Sequence, residues 1–119
     1  MSEEKNPYDL EERTEKFAIA VRKFAKRIKV ALINADDIKQ VLRSSGSIGA
    51  NYIEANESLS KKDFLVRVKI SRKEAKETRY WLRVMQIEQP ELDEEKAKLH
   101  EEATQSMKIF GSIITKSGG

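Results

Sequence analysis

A chain of 119 residues has the length of one domain, and its 36% charged and 7% aromatic residues favour solvated helices over a β-sandwich. The absence of cysteine excludes disulfides and thiolate metal sites and fits a reducing compartment. No apolar run approaches the roughly 20 residues that a membrane-spanning helix needs, and the acidic N-terminus has no signal-peptide core, so we expect a cytoplasmic protein without membrane contact.

The first predicted helix spans residues 9–31. Asp9 and Glu12 have the spacing of a capping box, and Pro7 precedes them. The apolar residues of this segment recur every three, four or seven positions, which is the period of one helical face. They are Leu10, Phe17, Val21, Phe24, Ile28 and Ala31.

The second predicted helix, residues 37–58, contains RSSGSIGANYIEANES, a composition that would also suit a loop. At 100° per residue, however, its residues sort onto two opposite faces, as they would have no reason to do in a loop. One face comprises Ile38, Val41, Ser45, Gly49, Tyr52, Asn56 and Leu59, and the other comprises Gln40, Arg43, Ser47, Asn51, Glu54 and Ser58. We therefore predict a helix whose small residues, Ser45 and Gly49, let another helix approach closely. Each glycine lowers helix propensity by about 1 kcal/mol relative to alanine, which tertiary packing must offset.

The third predicted helix spans residues 61–89, with Ser60 as its N-cap and Asp63 at the third position. The fourth spans residues 91–116, after Pro90, and carries acidic residues in its first turn. Both have a single apolar stripe. The stripes are Phe64, Val68, Ser71, Ala75, Thr78, Leu82 and Met85, and then Leu92, Leu99, Ala103, Ser106, Phe110 and Ile113. Four helices with short connections predict one all-α domain over residues 1–119, an antiparallel up-down-up-down four-helix bundle.

Two segments of the chain resemble a known family. RSSGSIGANYIEANESLSKKDF and ISRKEAKETRYWLRVM resemble the bacterial four-helix-bundle proteins called 23S rRNA-intervening-sequence proteins. The matching residues are Arg43, Ser45, Ser47, Ile48, Asn51, Ile53 and Glu54, followed by Arg72, Glu74, Ala75, Glu77 and Leu82. The resemblance implies an antiparallel four-helix bundle that assembles as a homopentamer. For this family, nucleic-acid binding is inferred from genomic position and a basic surface.

The charge of the chain is concentrated in its middle. Residues 16–83 carry 17 Lys and Arg against 7 Asp and Glu, whereas the remaining residues carry 6 against 13. On the third helix a basic stripe follows helical spacing, and Arg22, Lys26 and Lys29 form a shorter stripe on the first helix. The candidate nucleic-acid contacts are Lys69, Arg72, Lys76, Arg79, Arg83 and Lys26. Such spacing suits the phosphates of RNA or DNA.

Two aromatic residues, Tyr80 and Trp81, lie within the basic stripe of the third helix and could stack on an unpaired base. The alternative interpretation is a solvated face, with Trp81 used for packing and with Glu74 and Glu77 neutralising neighbouring cations.

The polar face of the second helix is a second candidate site. Serine and asparagine are weak helix formers on a merely solvated face, and small residues suit close contact between subunits. We therefore predict an oligomer interface at Arg43, Ser47, Asn51, Glu54 and Ser58. A ligand or RNA contact and a plain surface remain alternatives.

Enzyme activity finds no support in the sequence. The only histidine, His100, has no partner in a Glu-x-x-His motif and is expected at the surface or the core boundary. Serine-nucleophile and Walker motifs are missing, and we expect no cofactor, no metal and no small-molecule substrate. The sequence favours a non-enzymatic, oligomeric protein that binds RNA or other nucleic acid. The alternative is a structural adaptor that binds a protein partner and no nucleic acid.

Overall fold

The computed structural model describes residues 7–119, with side chains from Asp9 onward. Four α-helices follow one another: α1 (Pro7–Arg27), α2 (Ala35–Asn56), α3 (Lys61–Val84) and α4 (Asp93–Lys116). A 3-10 turn, Pro90–Leu92, leads into α4, and the described residues contain no strand. The predicted all-α four-helix bundle is confirmed.

Each helix packs mainly on its neighbours in the chain. The α2–α3 contact is the most extensive, those of α3 with α4 and α1 with α2 follow, and the contact between α1 and α4 is small. The core is built mainly by the predicted stripes, with Phe24, Leu82 and Phe110 fully buried, and on α2 it also includes Ile48 and Ala55, which the predicted apolar face omitted. Tyr52 reaches in from α2, and its ring centroid lies 5.6 Å from that of Phe110. The bundle is therefore a row of helices whose last seam, between α4 and α1, is only partly closed.

The segment RSSGSIGANYIEANES is helical, as predicted, although the helix ends at Asn56 and not at 58, and its small residues fill two close contacts. A Cβ placed on Gly49 would lie 2.8 Å from Thr14 Oγ1 of α1, which leaves no room for a side chain. On the α3 side, the hydroxyls of Ser44 and Thr78 are 2.8 Å apart, and Ser71 Oγ donates to Ile48 O at 2.9 Å. Because these hydroxyls find partners inside the seam, they can be buried at little cost.

Two predicted helix ends were wrong. The first helix ends at Arg27, and Ala31, assigned to its core stripe, is exposed. The reason is Asn34, which is 2% exposed and organises a turn: its Oδ1 accepts from Ala31 N, and its Nδ2 donates to Lys29 O and Gln86 O. The backbone groups that a longer helix would pair internally are thus used by this turn.

The third helix ends at Val84 rather than at 89, and Met85 is extended and buried. Beyond it, the Gln89 side chain donates to Arg27 O at 2.8 Å and accepts from Lys29 N.

At the opposite end of the bundle, α2 ends before Leu59, which is fully exposed instead of joining the apolar face. The other predicted helix ends differ less from the structure. The first helix begins at Pro7, so Asp9 lies in its first turn and not at the capping position. The Ser60 cap is confirmed, since its hydroxyl accepts from Asp63 N at 3.0 Å.

Candidate nucleic-acid interface

The charges of α3 are divided between its two flanks. Glu74 and Glu77 face α2, where both carboxylates pair with Arg43; the Glu74 oxygen lies 3.3 Å from the guanidinium. Within the described residues, these two acids therefore pair with α2 and not with the cations of their own helix. The basic stripe lies on the other flank, toward α4.

The basic flank of α3 forms one wall of a groove of about 540 Å³, which we call the α3–α4 groove. Its lining residues are Lys69, Arg72, Lys73, Lys76, Met107 and Lys108. Five of the six are basic, and among residues 9–119 none of these five has a carboxylate oxygen within 4 Å of its charged nitrogens. The positive charge of the groove is therefore not neutralised within the described chain.

The acids of α4 explain why the groove stays basic. Glu102 is paired with Arg13 of α1 at 2.6 Å, and Glu95 is paired with Arg27 of α1. These two carboxylates bridge the partly closed α1–α4 seam and pair with α1 instead of α3. Cations along one rigid seam reinforce one another's potential, which is the arrangement that attracts a phosphate backbone.

Arg79 and Arg83 continue the basic stripe beyond the groove but are less free. Arg79 is half-buried, with Nη1 2.9 Å from Met107 Sδ, and its buried Nε has no hydrogen-bond partner in the described part of the chain. Arg83 Nη1 lies 3.3 Å from His100 Nε2. The predicted stripe thus has four exposed cations, Lys69, Arg72, Lys76 and Arg83, and the half-buried Arg79. Arg79 and Arg83 also contact side chains of α4.

A second groove of about 560 Å³, the His100 pocket, adjoins Arg83. It is lined by Leu82, Arg83, Asp93, Lys96, Ala97 and His100. His100 is half-buried, as expected for the core boundary. Burial lowers the pKa of His100, and the nearby charges of Arg79, Arg83 and Lys96 lower it further against the opposing effect of Glu101. The imidazole is therefore neutral at neutral pH, because burial and the surrounding cations both disfavour its protonation.

Sequence reasoning missed three residues of this surface: Lys96, His100 and Lys108 on α4. They are spaced by four and eight positions, so they share one helical face. That spacing was the available signal, but only the antiparallel register of α3 and α4 shows that this face meets the basic stripe.

The remaining predicted contacts lie elsewhere. Lys26 is exposed on α1, which packs on α2 and α4, and it does not line the α3–α4 groove, so the structure does not bring it to the stripe. Tyr80 is 49% exposed beside the groove cations and remains available for stacking. Trp81 is half-buried, packs against the core and meets Tyr80 edge-on at 5.0 Å, so it serves packing.

The polar face of α2 is largely occupied within the chain. Arg43 binds the two glutamates of α3, and Asn51 Oδ1 accepts from Arg67 of α3 at 3.1 Å. Ser47 and Ser58 donate to carbonyl oxygens of α2, and Glu54 is exposed. These contacts explain the polar residues without a second subunit. An oligomer interface at this face stays a prediction.

The described residues contain neither a metal-binding cluster nor a membrane-spanning helix. Within residues 7–119, no three His, Cys, Asp or Glu side chains are grouped closely enough to hold a metal ion. None of the helices in that range has the length and hydropathy needed to cross a membrane.

Comparison with known proteins identifies the family. The crystal structure of a protein of unknown function from the S23 ribosomal protein family of Bacteroides thetaiotaomicron superposes with a TM-score of 0.73 at 30% identity. The match covers 92% of this chain and 97% of the other. No curated protein matches the chain. The family described as 23S rRNA-intervening sequence protein matches residues 8–112, nearly the whole chain, and the chain therefore belongs to that family.

Proposed function

We propose that this protein is a non-enzymatic nucleic-acid-binding module whose α3–α4 groove contacts phosphates, with RNA as the favoured ligand. The observation that carries the proposal is the groove lined by five basic residues without a paired carboxylate among the described residues. The family's description, which refers to ribosomal RNA, supports RNA over DNA.

Binding through this surface is led by charge and shape. The stripe from Lys69 to Arg83 extends over about 21 Å at 1.5 Å per residue. Along one strand, with a phosphate every 3.4 Å or so, this length corresponds to about six phosphates. Released counterions drive such binding, and Tyr80 adds a stacking surface for an unpaired base. The described lining of the groove is mostly lysine, which contacts phosphates without reading base edges, so we expect weak sequence preference.

The test is fluorescence anisotropy with a labelled structured RNA across a salt series, using protein freed of nucleic acid. The variant is Lys69→Gln/Lys76→Gln/Lys108→Gln, which removes three exposed groove cations. The matched control is Lys23→Gln/Lys26→Gln/Lys39→Gln, which makes the same charge change on α1 and α2.

We expect steep, log-linear weakening of wild-type binding with salt. For a single strand, each lost phosphate contact reduces the slope of log affinity against log salt concentration by about 0.7. The groove variant loses three contacts, so relative to about 1 M salt it should bind about 100-fold more weakly at about 0.1 M salt. The control should bind nearly as the wild type does. Equal losses in both variants would show that net charge, and not the groove, attracts RNA; absence of wild-type binding even at low salt would end the proposal.

A second candidate, a self-assembling adaptor that binds a protein partner, is supported by exposed apolar residues in the α1–α2 turn. Val30 is 64% exposed, Leu32 99% and Ile33 67%. Consecutive apolar side chains in water are typical of a protein contact. Light scattering coupled to size exclusion tests the homopentamer that the family resemblance implies. A pentamer that binds no RNA at low salt would favour the adaptor.

A further inference from the structure

The His100 pocket brings together three donors that would suit an anion. Arg83 on α3 and Lys96 and His100 on α4 line the same pocket, next to the basic groove. Lys96 Nζ donates to Met85 O at 3.3 Å, which holds its charge at the pocket wall. Asp93 is the only acidic residue in the lining. The pocket thus extends the cationic surface toward the C-terminal end of α3.

The contact between Arg83 and His100 has a defined polarity. A guanidinium can only donate, so the imidazole Nε2, 3.3 Å from Arg83 Nη1, must accept and therefore carries no proton. Protonation of Nε2 would place two donors against each other and release Arg83. The arginine and the imidazolium could then both donate to one shared anion.

We propose that Arg83, Lys96 and His100 form a phosphate subsite at the end of the α3–α4 groove, and that a nucleic-acid phosphate bound there is coupled to the uptake of one proton by His100. The proposal rests on the proposed function, which supplies the phosphate, and adds a defined subsite and a pH dependence to it. The same chemistry would accept free inorganic phosphate, which the experiment includes.

The direction of the coupling follows from the charges around the ring. In the free protein, burial and the cations Arg79, Arg83 and Lys96 lower the pKa of His100, while Glu101 opposes them. A phosphate oxygen near the ring favours the imidazolium and raises that pKa. Because binding then takes up a proton, nucleic acid binds more tightly as the pH falls.

The experiment follows His100 itself. It is the only histidine in the sequence, so tag-free protein gives one pair of imidazole resonances in an NMR pH titration. The titration is run on the free protein, with saturating structured RNA and with inorganic phosphate. RNA affinity is measured in parallel against pH for the wild type, His100→Gln and Lys96→Gln. Lys98→Gln is the control, since Lys98 lies on the same helix but pairs with Glu94.

We expect RNA to raise the pKa of His100 and to bind more tightly near pH 5.5 than near pH 7.5, by up to about tenfold, the limit that linkage sets for a pKa increase of about one unit. His100→Gln should lose most of this pH dependence, Lys96→Gln should bind more weakly at every pH, and Lys98→Gln should behave as the wild type.

The outcomes separate the two proposals. If RNA binds but leaves the pKa of His100 unchanged, or if His100→Gln keeps the full pH dependence, the subsite is refuted and the groove proposal stands. If RNA does not bind at any pH, the proposed function fails, and the phosphate titration decides the subsite. A raised pKa then supports an anion site, and an unchanged pKa overturns it.

Discussion

The seam between α2 and α3 and the seam between α3 and α4 share one helix but use opposite chemistry. In the first, hydroxyl pairs such as Ser44 with Thr78 are buried, and Glu74 and Glu77 are neutralised by Arg43. In the second, five basic residues line an open groove, and no described carboxylate pairs with them. Polar groups satisfied inside the chain serve the fold, whereas uncompensated charge of one sign remains available to a ligand.

The first way to break this comparison is Arg43→Met. The variant leaves the buried Glu74 carboxylate without its cation. Because the Arg43 side chain is 47% exposed, the loss should be below the 3–5 kcal/mol of a fully buried pair, at about 2 kcal/mol of unfolding free energy. Urea unfolding measures it. RNA binding by the folded variant should stay nearly unchanged.

Lys76→Met is the matched substitution on the other flank of α3. Lys76 is exposed in the groove and has no described ionic partner. The unfolding free energy of the Lys76→Met variant should therefore stay within about 0.5 kcal/mol of the wild-type value. Its RNA affinity should fall. If the two variants lost stability and RNA affinity in equal measure, the division between a structural and a binding flank would be wrong.

The second test compares the space for an added methyl group at two glycines, Gly49 between α1 and α2 and Gly111 between α3 and α4. Gly49→Ala places a Cβ 2.8 Å from Thr14 Oγ1. Overpacking of about 1–3 kcal/mol then exceeds the gain of about 1 kcal/mol in helix propensity, so we expect a net loss near 1 kcal/mol.

Gly111→Ala is its counterpart on the α3–α4 seam. Its Cβ would meet Arg72 at 3.9 Å, an ordinary contact. With no clash, the variant should gain up to about 1 kcal/mol from helix propensity. Thermal unfolding of both variants gives the signs. A stabilised Gly49→Ala would show that α1 and α2 have room to separate, contrary to the close packing of that seam.

The sequence predicted the features that depend on neighbouring residues better than those that depend on residues far apart in the chain. The helical faces follow from local spacing, and the helical nature of RSSGSIGANYIEANES and the small-residue contact at Gly49 are confirmed. The ends at Arg27 and Val84 were missed because no Gly or Pro marks them. They depend on Asn34 and Gln89, whose hydrogen bonds include three between residues 52 to 62 positions apart. The same limitation hid His100 and Lys108, since the register of α4 against α3 is a tertiary property.

The smallest expected effect is a pH dependence of stability in the absence of nucleic acid. Since the pKa of His100 is lowered in the folded protein, the unfolded chain binds a proton more readily once the pH falls below about 6.5. The contribution of the neutral imidazole is therefore complete above that pH and is lost as the pH falls through the pKa of the folded state.

Relative to His100→Gln, the wild type should consequently lose unfolding free energy between neutral and mildly acidic pH, as measured by urea unfolding at a series of pH values. Lys98→Gln, which leaves the imidazole untouched, should follow the wild-type profile. A difference between wild type and His100→Gln that stayed constant with pH would mean that the ring is not held neutral by its surroundings. The pH dependence of stability would then give no support to the view that excess positive charge distinguishes the α3–α4 seam from the neutralised α2–α3 seam.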